Sequence, residues 1–245
     1  MSAKQLTSID VSSWQQANCA QLIAKYNPDH VIVRAYLPWE KAGYQNVSRA
    51  QIATARALGK SIGIYSWPYE DRTPWETLVE TIRLCDSCEP PVVAPIIWGD
   101  CENSVYGNGP DANWLRGWRQ AGIDLQTPVG LYLRVSWIDD YFDGGQDAFM
   151  EFKDLPIWLA DHDAIDDVDI FTHGWPKGWI QAAAKQFAVT VSPIGNCDRN
   201  VIRPEYTMYG GGGDPCAVLR DELAQMTAKI DEMQSRLDEI ARLAS

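Results

Sequence analysis

The sequence predicts an α/β barrel followed by a C-terminal coiled-coil helix. Between residues 7 and 160 of the 245-residue chain, apolar strand-forming runs alternate with amphipathic stretches at a spacing of roughly 30 residues, which is typical of βαβ units in a parallel sheet. Beyond the glycines at residues 210–213, apolar residues recur at alternating steps of four and three, the heptad pattern of a coiled coil. The chain is long enough for one barrel domain with an appended helix.

The predicted strands are short apolar runs, most of them continuous enough to be buried on both faces of a parallel sheet. They are predicted at residues 7–12, 30–36, 61–67, 95–102, 128–133 and 155–160. Helices are predicted between them at residues 17–26, 48–58, 73–85, 112–121 and 136–142. Ser13 is a candidate cap for the first helix, Gly59 ends the second, and Pro74 suits the first turn of the third.

The last part of the predicted barrel contains fewer helices. Residues 174–202 have the composition of short strands and turns, and residues 186–191 alternate most clearly. We therefore expect the barrel to close with antiparallel or irregular strands. Residues 161–169 form an acidic loop whose spacing matches no calcium-binding loop, so a solvated loop is favoured over a cation site. The sequence predicts no metal and no cofactor.

Two acids, Asp100 and Glu102, end the strand predicted at residues 95–102. Side chains alternate faces along a strand, so both carboxylates point the same way and lie roughly 6–7 Å apart. A substrate group can fit between them, and the carboxyl ends of the strands carry the active site in barrels of this kind. Asp10 ends another predicted strand and is expected at the same edge. The alternative is a strand end that carries two solvated acids.

Composition limits the classes of partner. The formal net charge of −12 argues against nucleic-acid binding, because no basic stripe is present to neutralise phosphates. Eleven Trp and ten Tyr offer flat faces that suit sugar rings, although many of them belong in a core. The N-terminal residues lack the apolar segment of a signal peptide, and no stretch is long enough to span a membrane, so we expect synthesis in the cytoplasm.

Four separated stretches share a recognisable pattern. They are residues 9–15 (IDVSSWQ), residues 63–67 (GIYSW), residues 100–102 (DCE), and residues 185–187 with 196–200 (KQF and NCDRN). In this order they resemble the opening strand, the third strand, the catalytic D-x-E and the closing segment of the family 25 glycoside hydrolases. These enzymes are lysozymes of the N-acetylmuramidase type, many of them encoded by bacteriophages.

The resemblance implies a TIM-like (β/α)5β3 barrel over residues 1–208. It also implies hydrolysis of the β-1,4 bond between N-acetylmuramic acid and N-acetylglucosamine in peptidoglycan, at the bacterial cell wall. Glu102 would then be the general acid, and Asp100 would orient the substrate acetamido group or stabilise developing charge. Asp10 and Asp198 would complete an acidic floor. A cluster of acids raises the pKa of one member, and a protonated Glu is what the leaving group requires.

Aromatic and amide residues near the predicted strand ends are candidates for substrate binding. They are Tyr65, Trp67, Tyr132, Trp158 and Gln186. The chain also departs from the family pattern at three places. Residues 34–38 (RAYLP) replace a K-x-x-E-G turn, Ser66 stands where the family usually has His, and Lys185 stands where it usually has Trp. These departures concern substrate detail and activity, not the fold.

Residues 209–215 are predicted to be a Gly-rich linker, and residues 216–245 a coiled-coil oligomerisation helix. The a/d stripe comprises Leu219, Leu223, Met226, Ile230, Met233, Leu237 and Ile240. We expect a homo-oligomer held together through residues 219–243, with the oligomer order open. The alternative is an amphipathic helix that packs back onto the barrel.

Three functions are compatible with the sequence. The first is a peptidoglycan hydrolase encoded by a phage, either an endolysin or attached to the virion. The second is a phage virion or tail module with the same barrel that binds a cell-wall glycan with little or no hydrolysis. The third is a structural subunit that retains an inherited barrel. The D-x-E together with Asp10 and Asp198 favours the enzyme, whereas the coiled coil favours a particle-attached protein.

Overall fold

A computed structural model describes residues 5–15, 18–69, 71–102, 109–190 and 196–207. Eight strands form a closed barrel in chain order. The strands are β1 (Leu6–Val11), β2 (His30–Ala35), β3 (Ser61–Ser66), β4 (Ile97–Cys101), β5 (Val129–Leu133), β6 (Ile157–Ala160), β7 (Ala184–Thr190) and β8 (Cys197–Ile202). The predicted linker and coiled coil, together with their oligomerisation stripe, lie outside the described residues.

The direction of the strands confirms the expected closure of the barrel. Strands β1 to β7 run parallel to one another, whereas β8 is antiparallel to both of its neighbours, β7 and β1. Because β8 runs the opposite way, its first residues lie at the same edge as the last residues of β1. Asp198 is accordingly paired in register with Asp10.

Six helices cover the first part of the barrel within the described residues. They are α1 (Cys19–Tyr26), α2 (Tyr44–Ala57), α3 (Pro74–Asp86), α4 (Ala112–Asp124), α5 (Val135–Tyr141) and α6 (Gly145–Phe149). The described segment between β6 and β7, residues 161–183, contains no helix, as the sequence predicted. No helix in the described part of the chain is long and apolar enough to cross a bilayer.

The residues predicted to begin two of the helices can be compared with the structure, and one prediction is confirmed while the other is not. Thr73 caps α3 with a complete capping box and Pro74 occupies its first turn, so that prediction is confirmed. Ser13 instead begins a short 3-10 turn, and Asn18 precedes α1. The prediction that Ser13 caps the first helix is therefore wrong. Tertiary contacts override the local signal, because the Ser13 backbone N–H donates to the Tyr36 hydroxyl and the Ser13 hydroxyl accepts from it.

Aromatic side chains fill the barrel interior below the acidic residues. Trp98 and Trp158 are 0% and 1% exposed, and their ring centroids lie 6.1 Å apart. Gly130 makes room for Trp98, because a Cβ at that position would lie 2.5 Å from the indole. Along β4, Trp98 and Asp100 share the inward face, since strand side chains alternate. The packed interior therefore supports Asp100 from below.

Candidate active site

Four carboxyl groups meet at the edge of the barrel where the parallel strands end. Asp10 is the penultimate residue of β1, Asp100 the penultimate residue of β4, and Glu102 the residue after β4. Asp198, the second residue of the antiparallel strand β8, completes the group. The four acids interact electrostatically with one another, so the structure brings together all the acids that the sequence singled out.

Asp10 is the most completely hydrogen-bonded member of the cluster. Its Oδ2 accepts from Asn200 Nδ2 at 2.9 Å and from Gln186 Nε2 at 3.2 Å. Burial, followed by the charge of Asp198, raises the pKa of Asp10 to about 8, and the two amide hydrogen bonds only partly oppose this increase. Asp10 therefore holds a proton at neutral pH in the free protein.

Asp198 lies beside Asp10, its partner in the β1–β8 pairing. Burial and the nearby charge of Glu102 raise the pKa of Asp198 to about 6. Like charges this close cannot all ionise together without a cost in free energy. The cluster therefore loses its protons in successive steps that belong to the group rather than to single residues.

The two acids of the D-x-E differ in their access to solvent. Asp100 is 4% exposed, whereas the Glu102 side chain is 28% exposed. Burial and the charge of Glu102 raise the pKa of Asp100 well above its usual range, opposed by Arg34 and Arg134. Burial also raises the pKa of Glu102, opposed by Arg134, Tyr132 and His162. One oxygen of Asp100, Oδ1, is buried without a hydrogen-bond partner.

A chain of polar side chains connects Glu102 with Asp10. Tyr132 Oη lies 3.4 Å from Glu102 Oε1 and donates to Gln186 Oε1 at 2.9 Å. His162 Nε2 lies 2.7 Å from the same Gln186 oxygen, and because an amide oxygen can only accept, this nitrogen carries a hydrogen. Gln186 in turn donates to Asp10, so one amide fixes the spacing between the two ends of the acidic cluster.

A cleft of about 870 Å³ opens in front of Glu102. Glu102 lines this cleft, and so do several aromatic side chains from the segments that follow β1, β2, β3 and β4. These aromatic residues are Trp14, Tyr36, Tyr44, Trp67, Tyr69 and Trp114. Trp14 is 88% exposed, so one face of an indole is presented at the rim. Such faces suit the apolar faces of sugar rings.

The residues predicted to bind substrate occupy different places. Trp67 lines the cleft beside Arg34, whose guanidinium carbon lies 5.4 Å from the indole centroid. Tyr65 packs edge-on against Trp158, which is 1% exposed and donates from Nε1 to Asn200 Oδ1 at 2.9 Å. Trp158 has no ring face open to a ligand in this structure, and it instead orients the amide that bonds Asp10.

The acidic loop at residues 161–169 is not simply solvated, which corrects the sequence prediction. Asp161 is 3% exposed, bonds the ring of His173 and accepts from the backbone N–H of Thr172. Asp163 accepts from Lys185 Nζ, whose side chain is fully buried. Asp163 therefore belongs to a buried ion pair, and Asp161 is a buried hydrogen-bond acceptor. The loop sequence could not show this because the partner Lys185 comes from β7.

Lys185 stands where the family usually has Trp, and its contacts give this departure a structural role. Burial alone would raise the pKa of Asp163, but the hydrogen bonds from Lys185 and from the backbone of Ile165 outweigh burial, so the net direction is downward. The substitution therefore supplies a structural ion pair beneath the loop. Within the described residues, no group of three or more His, Cys, Asp or Glu side chains could hold a metal ion.

Sequence reasoning missed four residues of the site: Asn200, His162, Arg34 and Arg134. Asn200 falls inside the NCDRN segment and could have been found from its alternation with Asp198 along β8. Arg34 was noted only as a departure, yet it lines the cleft and bonds Glu40 at 2.9 Å. No local pattern distinguishes His162 or Arg134 from ordinary surface residues.

Comparison with solved structures identifies the fold. A family GH25 lysozyme from Aspergillus fumigatus matches with a TM-score of 0.60 and 15% identity, over 89% of this chain and 98% of that chain. The catalytic domain of the endolysin ply40 from bacteriophage P40 of Listeria monocytogenes gives 0.58 and 13%, over 84% and 97%. A family 25 glycosyl hydrolase from Bacillus anthracis gives 0.55 and 15%, over 82% and 90%.

The sequence matches no protein-family model and no curated protein. The barrel nevertheless has the fold of the family 25 lysozymes, because the structural match extends over nearly the whole length of the solved domains. The family resemblance of the four sequence stretches is thus confirmed for the fold. At 13–15% identity the likeness establishes the fold alone, and the chemistry has to be argued from the site.

Proposed function

We propose that this protein is a peptidoglycan hydrolase that cleaves the β-1,4 bond between N-acetylmuramic acid and N-acetylglucosamine. The observation that carries the proposal is the position of Glu102. Of the four clustered acids, it is the one that lines the large cleft, and its pKa is raised by burial. A carboxyl group that is accessible, and whose surroundings favour the protonated form, is what a leaving glycosidic oxygen requires.

Glu102 acts as the general acid in this proposal. Its carboxyl group faces the aromatic cleft, where a sugar chain stacked on Trp67 or Trp14 would present a glycosidic oxygen. Burial favours the protonated form of Glu102, while Arg134 and Tyr132 prevent its pKa from rising further. A pKa raised moderately above the ordinary value suits a group that must hold a proton and then release it.

Asp100 orients the substrate from below. Its unpartnered Oδ1 is a buried hydrogen-bonding atom without a protein partner among the described residues, and an acetamido N–H of the sugar would supply one. The arginines Arg34 and Arg134 both favour the charged form of Asp100. Asp100 therefore positions the acetamido group, and in its ionised form it stabilises positive charge that develops at the anomeric carbon.

Digestion of purified cell walls tests the proposal. We expect the full chain to release soluble fragments whose new reducing ends are muramic acid, and we expect Glu102→Gln to release none above background. Glu205→Gln, a change at an exposed glutamate away from the cleft, serves as the matched control. New reducing ends at glucosamine would contradict the assigned bond. Wall binding by the wild type without hydrolysis would support the glycan-binding module instead.

We further propose that residues 219–243 hold several barrels together as a parallel coiled coil. The a/d stripe in the sequence supports this proposal, because burying one large aliphatic side chain contributes roughly 1.5–3 kcal/mol and a single helix would leave the stripe in water. Light scattering of the full chain should give a multiple of the 27.5 kDa chain mass. The double variant Leu223→Asp, Ile230→Asp should give the monomer, and a monomeric wild type would refute the proposal.

We also propose a phage setting, which the likeness of the barrel to the endolysin of bacteriophage P40 supports. Oligomerised barrels would engage a cell wall at several points and gain avidity without new contacts. Both a free endolysin and a virion component would act at the cell wall. Detection of the chain in purified phage particles by mass spectrometry would distinguish the two, because an endolysin would be absent from washed virions.

A further inference from the structure

A second cavity, of about 290 Å³, lies on the β5–β6 side of Glu102. Its walls come from the residues that follow β5 and β6 and from the segment around His173. Arg134 lines this cavity, and its Nε lies 3.9 Å from Glu102 Oε1. The proposed proton donor therefore lines the aromatic cleft, and Arg134 connects it to a second, smaller cavity.

The Arg134 guanidinium has no hydrogen-bond partner among the described residues. Its distance of 3.9 Å to Glu102 is too long for a hydrogen bond, and no other carboxylate of the described residues pairs with it. The side chain is 44% exposed. A guanidinium offers five N–H donors in one plane, an arrangement that can bind the two oxygens of a carboxylate in bidentate fashion.

The acids that line the same cavity are already engaged. Asp161 is 2% exposed at its side chain and bonds His173 as well as the backbone N–H of Thr172. Asp139 accepts from Gln146 Nε2 at 2.9 Å. The cavity thus contains a cation whose N–H groups donate no hydrogen bond to the part of the chain that the structure describes, within a chain whose formal net charge is −12.

We propose that Arg134 binds a carboxylate of the substrate next to the scissile bond, an inference that rests on the proposed function. Two carboxylates of the same chemistry are available near a muramoyl sugar. One is the lactyl carboxylate of a muramic acid that carries no peptide, and the other is a carboxylate of the peptide stem. Arg134 is thus a specificity determinant that distinguishes muramoyl glycans from uncharged ones.

Equilibrium binding tests the inference separately from catalysis. The full chain with Glu102→Gln leaves its ligands intact, so calorimetry can measure Kd for three soluble glycan fragments. The first is stem-free and carries lactyl carboxylates, the second is the same fragment with those carboxyl groups reduced to alcohols, and the third carries peptide stems. In this background we compare Arg134→Met, Arg134→Lys and the matched control Arg83→Met, a change at an exposed arginine on α3.

If the lactyl group is the ligand, reduction should weaken binding of the stem-free fragment about 10- to 100-fold, the range expected for a hydrogen-bonded charged group. Arg134→Met should abolish that difference, Arg134→Lys should keep part of it, and Arg83→Met should keep all of it. If Arg134→Met instead weakens only the stem-bearing fragment, the carboxylate belongs to the stem, and the shared chemistry still holds.

Two results would overturn the inference. One is an equal effect, or no effect, of Arg134→Met on all three fragments, which would make Arg134 an ordinary solvated residue or a structural one. The other is no binding of any fragment. Failure of the proposed function looks different, because the wild-type chain would then bind the stem-free fragment with the Arg134 dependence described above but would not hydrolyse it.

Discussion

Asp10 and Glu102 lie in the same acidic cluster, but their surroundings differ in the number of hydrogen-bond donors. Asp10 receives two amide hydrogen bonds on one oxygen and is 9% exposed. Glu102 has a 3.4 Å contact with Tyr132, a 3.9 Å approach from Arg134 and a side chain that is 28% exposed. The carboxyl that is fixed by donors serves the architecture of the site, whereas the carboxyl with few donors can exchange a proton with a ligand.

This comparison predicts the largest loss of activity at Glu102. Glu102→Gln keeps the size and most of the contacts of the side chain but removes the transferable proton. We expect kcat to fall roughly 10²- to 10⁴-fold, the range for loss of a general acid. The melting temperature should stay level or rise, because burial disfavours the charged form of Glu102. Glu205→Gln is the control, and a variant with wild-type kcat would place the acid elsewhere.

Asp100 is expected to show the next largest effect. Asp100→Asn removes a charge below the substrate, and we expect kcat to fall about 10²-fold, as for loss of one electrostatic stabiliser. The high-pH limb of the rate profile should persist near its wild-type position, because the pKa of Glu102 is set by burial, Arg134, Tyr132 and His162 and not by Asp100. The matched control is Asp86→Asn at an exposed position on α3. A profile without that limb would reverse the roles of the two acids.

The D-x-E illustrates what the sequence can and cannot predict. Alternation along a strand sufficed to place Asp100 and Glu102 on one face, and short apolar runs sufficed for six of the eight strands, since both patterns are local. Nothing local indicated that Asp163 meets Lys185, or that His162 meets Gln186, because each pair joins residues more than 20 positions apart. Long-range pairing of polar side chains depends on the register of the strands and the path of the loops, which the local patterns of a single sequence do not reveal.

Asp10 should control stability more than catalysis. The folded-state pKa of Asp10 is about 8, against an ordinary value of 3.8, so the folded protein holds one proton more than the unfolded chain between those values. The contribution of Asp10 to the free energy of unfolding is therefore fully present below about pH 4. It is lost as the pH rises towards 8, with a slope of at most about 1.4 kcal/mol per pH unit.

Asp10→Asn should flatten that slope. An asparagine oxygen can still accept from Gln186 and Asn200, so the geometry of the cluster is retained. Urea denaturation at pH 5 and pH 8 should show a smaller difference in the free energy of unfolding for Asp10→Asn than for the wild type. Asp86→Asn should keep the full difference. An unchanged slope in Asp10→Asn would mean that Asp10 is ionised throughout, contrary to its raised pKa.

The smallest effect is expected at Tyr132, the residue that joins the two carboxyl groups through Gln186. Tyr132→Phe keeps the ring that packs 4.5 Å from the Trp158 centroid and removes the hydroxyl near Glu102. The hydroxyl stabilises the charged form of Glu102, so its loss should raise the pKa of Glu102 and move the high-pH limb upward by a fraction of a unit. We expect kcat to fall less than about tenfold, since Gln186 keeps His162 as a partner.

Tyr141→Phe, at a position 43% exposed on α5, controls for loss of a hydroxyl. A limb that moves downward in Tyr132→Phe would show that the hydroxyl accepts from a protonated Glu102 and stabilises the acid form instead.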